Sequence, residues 1–283
     1  MKWTLLVLAG WATVVGGLFL ASLSGDVAAQ LFNLSRNAQL LVQGIVMSGL
    51  VVPIILYLYQ RFYQMIGVKP KTRVYSWKRL YHFITGVLVV IGLASLGFFI
   101  AISQGWIVLE KWHTPHQWFI PLLINIFIAF LYEALPEELA LRGMLYDVLR
   151  NRFVAWQAVL LQTLLFVSVP ITVSQIQALI GLAPGNVINL PYILLILCFG
   201  ICLQLLRLLT GSIWAGIGFH LAYLEITRFV IWPDSYGAPS IITYHDTVQG
   251  LSGVFISMGM MIIGGIIVLF ITLSAKRYIR KST

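Results

Sequence analysis

Long apolar stretches alternate with short polar connections along the whole chain. A helix needs about 20 mostly apolar residues to cross the roughly 30 Å hydrocarbon core of a bilayer, since each residue advances the helix by about 1.5 Å. Uncharged stretches of this length predict eight membrane-spanning helices. They cover residues 3–23, 38–59, 80–103, 117–135, 154–173, 187–206, 212–232 and 248–273.

The connections between these stretches are too short to hold a second folded unit. The chain also shows no internal repeat and no low-complexity tract. We therefore predict an all-α fold, a polytopic membrane helix bundle of about eight transmembrane helices. It is expected to form a single membrane-embedded helical domain over residues 1–283.

Composition indicates that the bilayer, rather than water, is the solvent for most of the protein. Hydrophobic residues make up 60% of the chain and charged residues 10%, and the mean hydropathy is +0.93. Average proteins are about 25% charged, so these values exclude an ordinary soluble domain. The net charge of +9 does not predict a nucleic-acid partner, because such binding needs a basic face on a soluble module.

Basic residues are distributed unequally between alternate connections. Lys and Arg favour cytoplasmic loops, and 15 of the 18 basic residues fall on one side of the predicted bundle. This predicts an integral membrane protein with both termini cytoplasmic, in the plasma membrane or another energy-transducing membrane. An alternative is a signal peptide cleaved near the small residues Val27, Ala28 and Ala29, which would leave seven spans and an external N-terminus.

The Cys and His residues do not predict a metal site or a cofactor. Cys198 and Cys202 lie four apart in one apolar stretch, which suits neither a disulfide framework nor a zinc ribbon. His113 and His116 lie beside span four, but the sequence shows no evident third ligand. Together with the neighbouring tryptophans they indicate an interfacial belt. We predict no metal and no cofactor.

Ionisable side chains that interrupt apolar spans are candidates for function, because they are costly in a membrane. One group, Glu133, Glu137, Glu138 and Arg142, lies around the end of span four. Pro136 is typical of the first turn of a new helix, whose positive end stabilises carboxylates, and Arg142 can pair with Glu138 four residues earlier. One interpretation is a capped helix start with an ion pair. The other makes Glu137 a general base for water, with Glu138 held by Arg142.

A second group, His220, Glu225 and Arg228, lies in predicted span seven. His220 could hydrogen-bond across helices. Glu225 could pair with Arg228 three residues later, or reach the interior of the bundle. Small residues in the same span, including Gly218, predict close packing between helices, or they leave room for a groove that a peptide or prenyl chain would need.

The motif Glu137-Glu138-x-x-x-Arg142 follows a long apolar span and precedes a span that carries His220. In this arrangement the chain resembles the CPBP family of intramembrane proteins, which includes the CAAX prenyl proteases and bacterial relatives linked to bacteriocin processing or self-immunity. The resemblance covers about residues 117–228. It implies a glutamate-type intramembrane endopeptidase, in which Glu137 is the base, Glu138 and Arg142 orient it, and His220 donates to the oxyanion.

Two positions depart from the pattern of this family. Its Phe-x-x-x-His motif matches residues 166–170, where Pro170 replaces the histidine. Its third motif, His followed four residues later by Asn or Asp, matches His220 but ends at Leu224. A developing oxyanion needs a hydrogen-bond donor, and proline supplies neither a side-chain nor a backbone donor. The residues that could substitute are Thr163, Ser168, Thr172 and Glu225.

Three classes of function follow from these observations. The first is an intramembrane peptidase, favoured by the intact Glu-Glu-x-x-x-Arg motif. The second is a non-catalytic pseudoprotease that acts as a membrane scaffold, assembly or immunity factor, favoured by Pro170 and Leu224. The third is a transporter subunit whose intramembrane charges form an ion path. The predicted partners are membrane lipids and a hydrophobic or lipidated peptide or membrane protein.

Overall fold

The computed structural model describes residues 3–67, 74–182 and 188–282, and helices form most of this part of the chain. The last helix, α8, begins at Leu251, passes through a π-helical stretch over Phe255–Gly264 and continues as Gly265–Ser282. The other helices are α1 Trp3–Phe32, α2 Arg36–Ile66, α3 His82–Ser103, α4 Pro115–Arg150, α5 Ala155–Leu179, α6 Leu190–Thr210 and α7 Ile213–Ile226.

Seven helical segments in the described residues are long and apolar enough to cross a bilayer, which confirms the predicted all-α polytopic bundle. The remaining prediction, span seven over residues 212–232, is shorter in α-helical form. It folds as the 14-residue α7 followed by a π-helical turn over Thr227–Ile231. After Trp232, Pro233 begins a separate short turn, because its nitrogen cannot donate to the preceding helix. The cytoplasmic position of both termini stays a prediction.

The outer surface of the helices suits lipid rather than water. Large apolar side chains are exposed there, including Phe99 at 69%, Phe270 at 61% and Leu8 at 59%. Exposed apolar surface on this scale would drive association in water. In a bilayer it is solvated by acyl chains, as the composition predicts.

The structure adds a two-stranded antiparallel sheet to the helices. Strand β1, Ile107–Trp112, pairs with β2, Ile242–Asp246, and the register shifts between Leu109 and Lys111. The Tyr244 hydroxyl on β2 donates to the Ile231 carbonyl at 2.9 Å. Burial, together with the charge of Asp246, raises the pKa of Tyr244 to about 12. The sheet therefore links two connections between helices for which the sequence pattern predicted no regular structure.

The helices divide into two compact units. Unit 1 combines Met1–Arg79 with Phe130–Gln204, and unit 2 combines Leu80–Ala129 with Leu205–Thr283. In unit 1, α1 packs along α2, and both helices contact the C-terminal half of α4. In unit 2, α3 packs against α7 and against the π-helical part of α8. The single domain predicted from sequence stays a prediction.

The crossing of α3 and α7 depends on two glycines. A Cβ atom at Gly86 would lie 2.0 Å from the Ala215 carbonyl oxygen, and one at Gly218 would lie 2.1 Å from the Phe83 carbonyl oxygen. The two backbones therefore touch, as small residues permit between membrane helices. This contact confirms the packing role predicted for Gly218.

Candidate functional site

Pro136 lies inside a continuous helix and does not begin a new one, so the predicted capped helix start is wrong. Helix α4 runs for 36 residues, and a π-helical turn over Phe130–Ala134 ends two positions before the proline. A π turn pairs residues five apart, which would direct residue 136 to the Leu131 carbonyl. Since Pro136 has no N–H, this carbonyl instead accepts a hydrogen bond from the Ser48 hydroxyl of α2.

A second π-helical stretch, Glu138–Leu145, carries the acidic and basic residues of the first motif. All eight of its residues are buried. Arg142 Nη1 lies 3.0 Å from Glu138 Oε1, and both side chains are 0% exposed. The ion pair predicted from the four-residue spacing is therefore present, and both of its side chains are buried in the protein. π-Helical turns are rare and recur at functional sites.

Phe166, the first residue of the second motif, covers this ion pair. Its ring centroid lies 4.1 Å from the guanidinium carbon of Arg142, which is a cation–π contact. Gly200 of α6 closes the other side, since a Cβ atom there would lie 3.0 Å from Phe166 and Thr163 and 3.5 Å from Arg142 Nη2. The first two motif regions thus meet in unit 1, around a buried arginine.

Glu137 lies beside Glu138 in sequence but is only partly buried. Its carboxylate is close enough to Tyr132 to interact electrostatically with that side chain. Tyr132 and Pro170 line the same cavity of about 430 Å³, here named the Pro170 cavity. The other lining residues are Leu18, Ser22, Val173, Ser174, Gln177, Ile188, Asn189 and Tyr192.

Two of the predicted substitute donors near Pro170, Ser168 and Thr163, are already engaged within unit 1, and a third, Thr172, is partly buried. The Ser168 hydroxyl donates to the Leu165 carbonyl at 2.7 Å and accepts from Trp11 Nε1 at 2.9 Å. The Thr163 hydroxyl donates to the Val159 carbonyl at 2.8 Å. Both hydroxyl protons are therefore used by the backbone of α5.

The polar groups of the Pro170 cavity come from residues that the sequence analysis did not select. Hydroxyls belong to Ser22, Tyr132, Ser174 and Tyr192, and carboxamides to Gln177 and Asn189. They lie on four different helices or at the ends of those helices, so no local sequence pattern could predict that they meet. The one sequence signal was the spacing of Ser174, which lies one helical turn after Pro170.

His220, the remaining predicted site residue, belongs to unit 2. It is 3% exposed on α7, in a helix whose residues from Ile213 to Leu221 are all buried. Glu225 on the same helix is 7% exposed, and Leu224 is partly buried. Arg228 Nη1 donates to Asn125 Oδ1 at 3.0 Å, so its hydrogen bond joins α4 to the π turn after α7.

Unit 2 also contains His113, one of the two histidines of the predicted interfacial belt. His113 Nε2 lies 2.8 Å from Thr243 Oγ1, and Nδ1 lies 3.2 Å from Gln117 Oε1. One ring nitrogen thus contacts the first turns of α4, through Gln117, and the other contacts β2, through Thr243. Within residues 3–67, 74–182 and 188–282, no group of three His, Cys, Asp or Glu side chains could hold a metal ion, and the Cys198 and Cys202 thiols are free.

Comparison with known proteins supports the resemblance drawn from the motif. Residues 112–223 match the family described as type II CAAX prenyl endopeptidase Rce1-like. The matched segment runs from the end of β1 into α7, so it includes the Glu138–Arg142 pair, Pro170 and His220. It confirms the predicted resemblance to the CAAX-protease-like proteins. No curated protein and no solved structure shows significant similarity to the chain.

Proposed function

We propose that this Rce1-like membrane protein binds a hydrophobic or lipidated peptide in the Pro170 cavity without hydrolysing it. The observation that carries the proposal is the cavity itself, where a proline stands at the position of the family's second-motif histidine. The protein would act as a membrane scaffold, assembly or immunity factor. Its termini are expected in the cytoplasm.

The lining of the Pro170 cavity supports peptide binding. An extended peptide inside a membrane must find partners for its backbone N–H and C=O groups, since lipid offers none. The Gln177 carboxamide can donate to carbonyl groups and accept from N–H groups, and the Asn189 carboxamide nitrogen can also donate to carbonyl groups. Leu18, Val173 and Ile188 supply apolar walls for side chains or a lipid chain. Cavities of this volume are typical of ligand sites.

The groups near Pro170 support binding over hydrolysis. Attack of water on a peptide bond places negative charge on the carbonyl oxygen, and losing one oxyanion donor costs about a hundredfold to a thousandfold in rate. Pro170 has no donor, and the protons of Ser168 and Thr163 are used by backbone carbonyls. Leu224 replaces the amide or carboxylate expected after His220.

Hydrolysis is a second candidate, because the Glu138–Arg142 pair is intact and Tyr132 lies near Glu137. In this case Glu137 would activate water and the Tyr132 hydroxyl would donate to the oxyanion, since a tyrosine can serve as such a donor. The two candidates place the peptide in the same cavity. They differ in whether the bound peptide stays intact.

Filling the Pro170 cavity should weaken peptide binding. In Ser174→Trp the indole would occupy the space, and we expect the affinity for a farnesylated CAAX-type peptide to fall at least tenfold. Fluorescence anisotropy with labelled peptide and purified protein measures this. Comparison with the same peptide lacking the farnesyl group would show how much of the affinity belongs to the lipid.

The matched control is Ser95→Trp, which introduces the same side chain at a separate, apolar cavity of unit 2. Thermal unfolding of both variants separates lost binding from lost folding. Equal affinity in wild type and Ser174→Trp would place the peptide elsewhere and remove the basis of the proposal. Loss of affinity in Ser95→Trp alone would transfer the site to unit 2.

A further inference from the structure

A second cavity of unit 1 lies where α1 begins and α2 ends. Its volume is about 450 Å³. Leu6, Leu58 and Met65 give it an apolar wall, whereas Tyr57, Arg61 and Gln64 give it a polar one. We name it the Arg61 groove. None of these lining residues is acidic, so the described part of the groove carries positive charge alone.

The Arg61 side chain is held in place by Tyr57, one turn earlier on α2. Its Nε donates to the Tyr57 hydroxyl at 2.8 Å, and its guanidinium carbon lies 5.1 Å from the centroid of the Tyr57 ring. In the described residues no carboxylate pairs with it. The two terminal nitrogens therefore keep their protons for another acceptor, and a preorganised guanidinium binds phosphate through two parallel hydrogen bonds.

The position of Arg61 along α2 places it near the membrane surface. Helix α2 ends at Ile66, and Gly67 follows in the left-handed conformation that closes many helices. Five residues separate Arg61 from Ile66, which is about 7.5 Å of helix. A cation at this depth lies at the level where lipid headgroups meet the hydrocarbon, and the exposed Met65 side chain then lies against acyl chains.

We infer that the Arg61 groove binds one anionic phospholipid. The phosphate accepts hydrogen bonds from the Arg61 guanidinium, and the first part of an acyl chain packs on the exposed Met65 side chain and the Tyr57 ring. A negative lipid is favoured over a zwitterionic one because the groove offers a cation with no neighbouring carboxylate. With the predicted orientation of the chain, this lipid belongs to the cytoplasmic leaflet, which holds the anionic lipids.

Native mass spectrometry tests this assignment. Wild-type protein, purified from vesicles of equal phosphatidylglycerol and phosphatidylcholine with matched chains, should retain one phosphatidylglycerol. In Arg61→Gln we expect the ratio of bound phosphatidylglycerol to bound phosphatidylcholine to fall at least tenfold. In Tyr57→Phe, which removes the hydroxyl that holds the guanidinium, the same ratio should fall severalfold. The matched control is Arg152→Gln, an exposed arginine on the same predicted side, which should behave as wild type.

Several results would overturn the inference. Equal retention of both lipids by wild type would show that charge is not recognised. An unchanged preference in Arg61→Gln, in protein with unaltered circular dichroism, would place the lipid elsewhere. Displacement of the lipid by an equal concentration of inorganic phosphate would mean that the groove recognises free phosphate rather than a phospholipid.

Discussion

Arg142→Ala is expected to lower the free energy of unfolding by about 3–5 kcal/mol, the usual cost of removing one partner from a buried ion pair. The Glu138 carboxylate is 0% exposed, and the substitution removes the guanidinium that lies 3.0 Å from it. The Phe166 ring would also lose the cation it covers. Thermal unfolding of the purified variant in detergent, together with its yield of monodisperse protein, measures the effect.

Two variants show whether charge burial is the cause. Glu138→Gln combined with Arg142→Met removes both charges while keeping most of the volume, so part of the stability should return. Arg152→Ala changes an exposed arginine and should stay within about 0.5 kcal/mol of wild type. If Arg142→Ala unfolds at the wild-type temperature, the buried pair does not stabilise the fold, and our description of the first motif is wrong.

Gly86→Ala is expected to destabilise unit 2 by about 1–3 kcal/mol or more, because the added methyl overpacks a close helix crossing. Its Cβ would lie 2.0 Å from the Ala215 carbonyl oxygen and 2.6 Å from the Phe219 nitrogen, and both are backbone atoms of α7. The helices must separate to admit it. His220 follows Phe219 directly, so the same shift would displace the predicted donor.

Gly92→Ala on the same helix is the matched control. Nothing lies within 4 Å of a Cβ atom at Gly92. Alanine favours a helix by up to about 1 kcal/mol over glycine, so this variant should equal or exceed the wild-type melting temperature. Equal melting temperatures for the two alanine variants would mean that α3 and α7 do not touch in the folded protein.

Much of the helical framework follows from the sequence because membrane spans obey a length rule that needs no tertiary information. The Glu138–Arg142 pair was also predictable, since residues four apart lie on one side of a helix. The strands were not, because Ile107–Trp112 and Ile242–Asp246 are far apart along the chain and each is short. Their pairing depends on contacts between distant parts of the chain, which a local hydrophobic pattern cannot predict.

The wrong prediction for Pro136 shows that local sequence patterns have the same limit at the candidate site. By local rules Pro136 is typical of a helix start. The helix nevertheless continues, because a π turn precedes the proline and Ser48, 83 residues from Leu131 along the chain, satisfies the carbonyl that loses its partner. Likewise, Tyr132 and Ser174 meet in the Pro170 cavity only because α4 and α5 fold together.

The most direct test of binding without hydrolysis is the mass of a bound peptide. A farnesylated CAAX-type peptide is incubated with wild type, with Glu137→Gln, and with the double variant Pro170→His and Leu224→Asn, and is then analysed by mass spectrometry. We expect wild type and Glu137→Gln to bind the peptide and leave its mass unchanged, and any cleavage to arise only in the double variant. A cleavage product that wild type forms and Glu137→Gln does not form would contradict the account and establish an intramembrane peptidase.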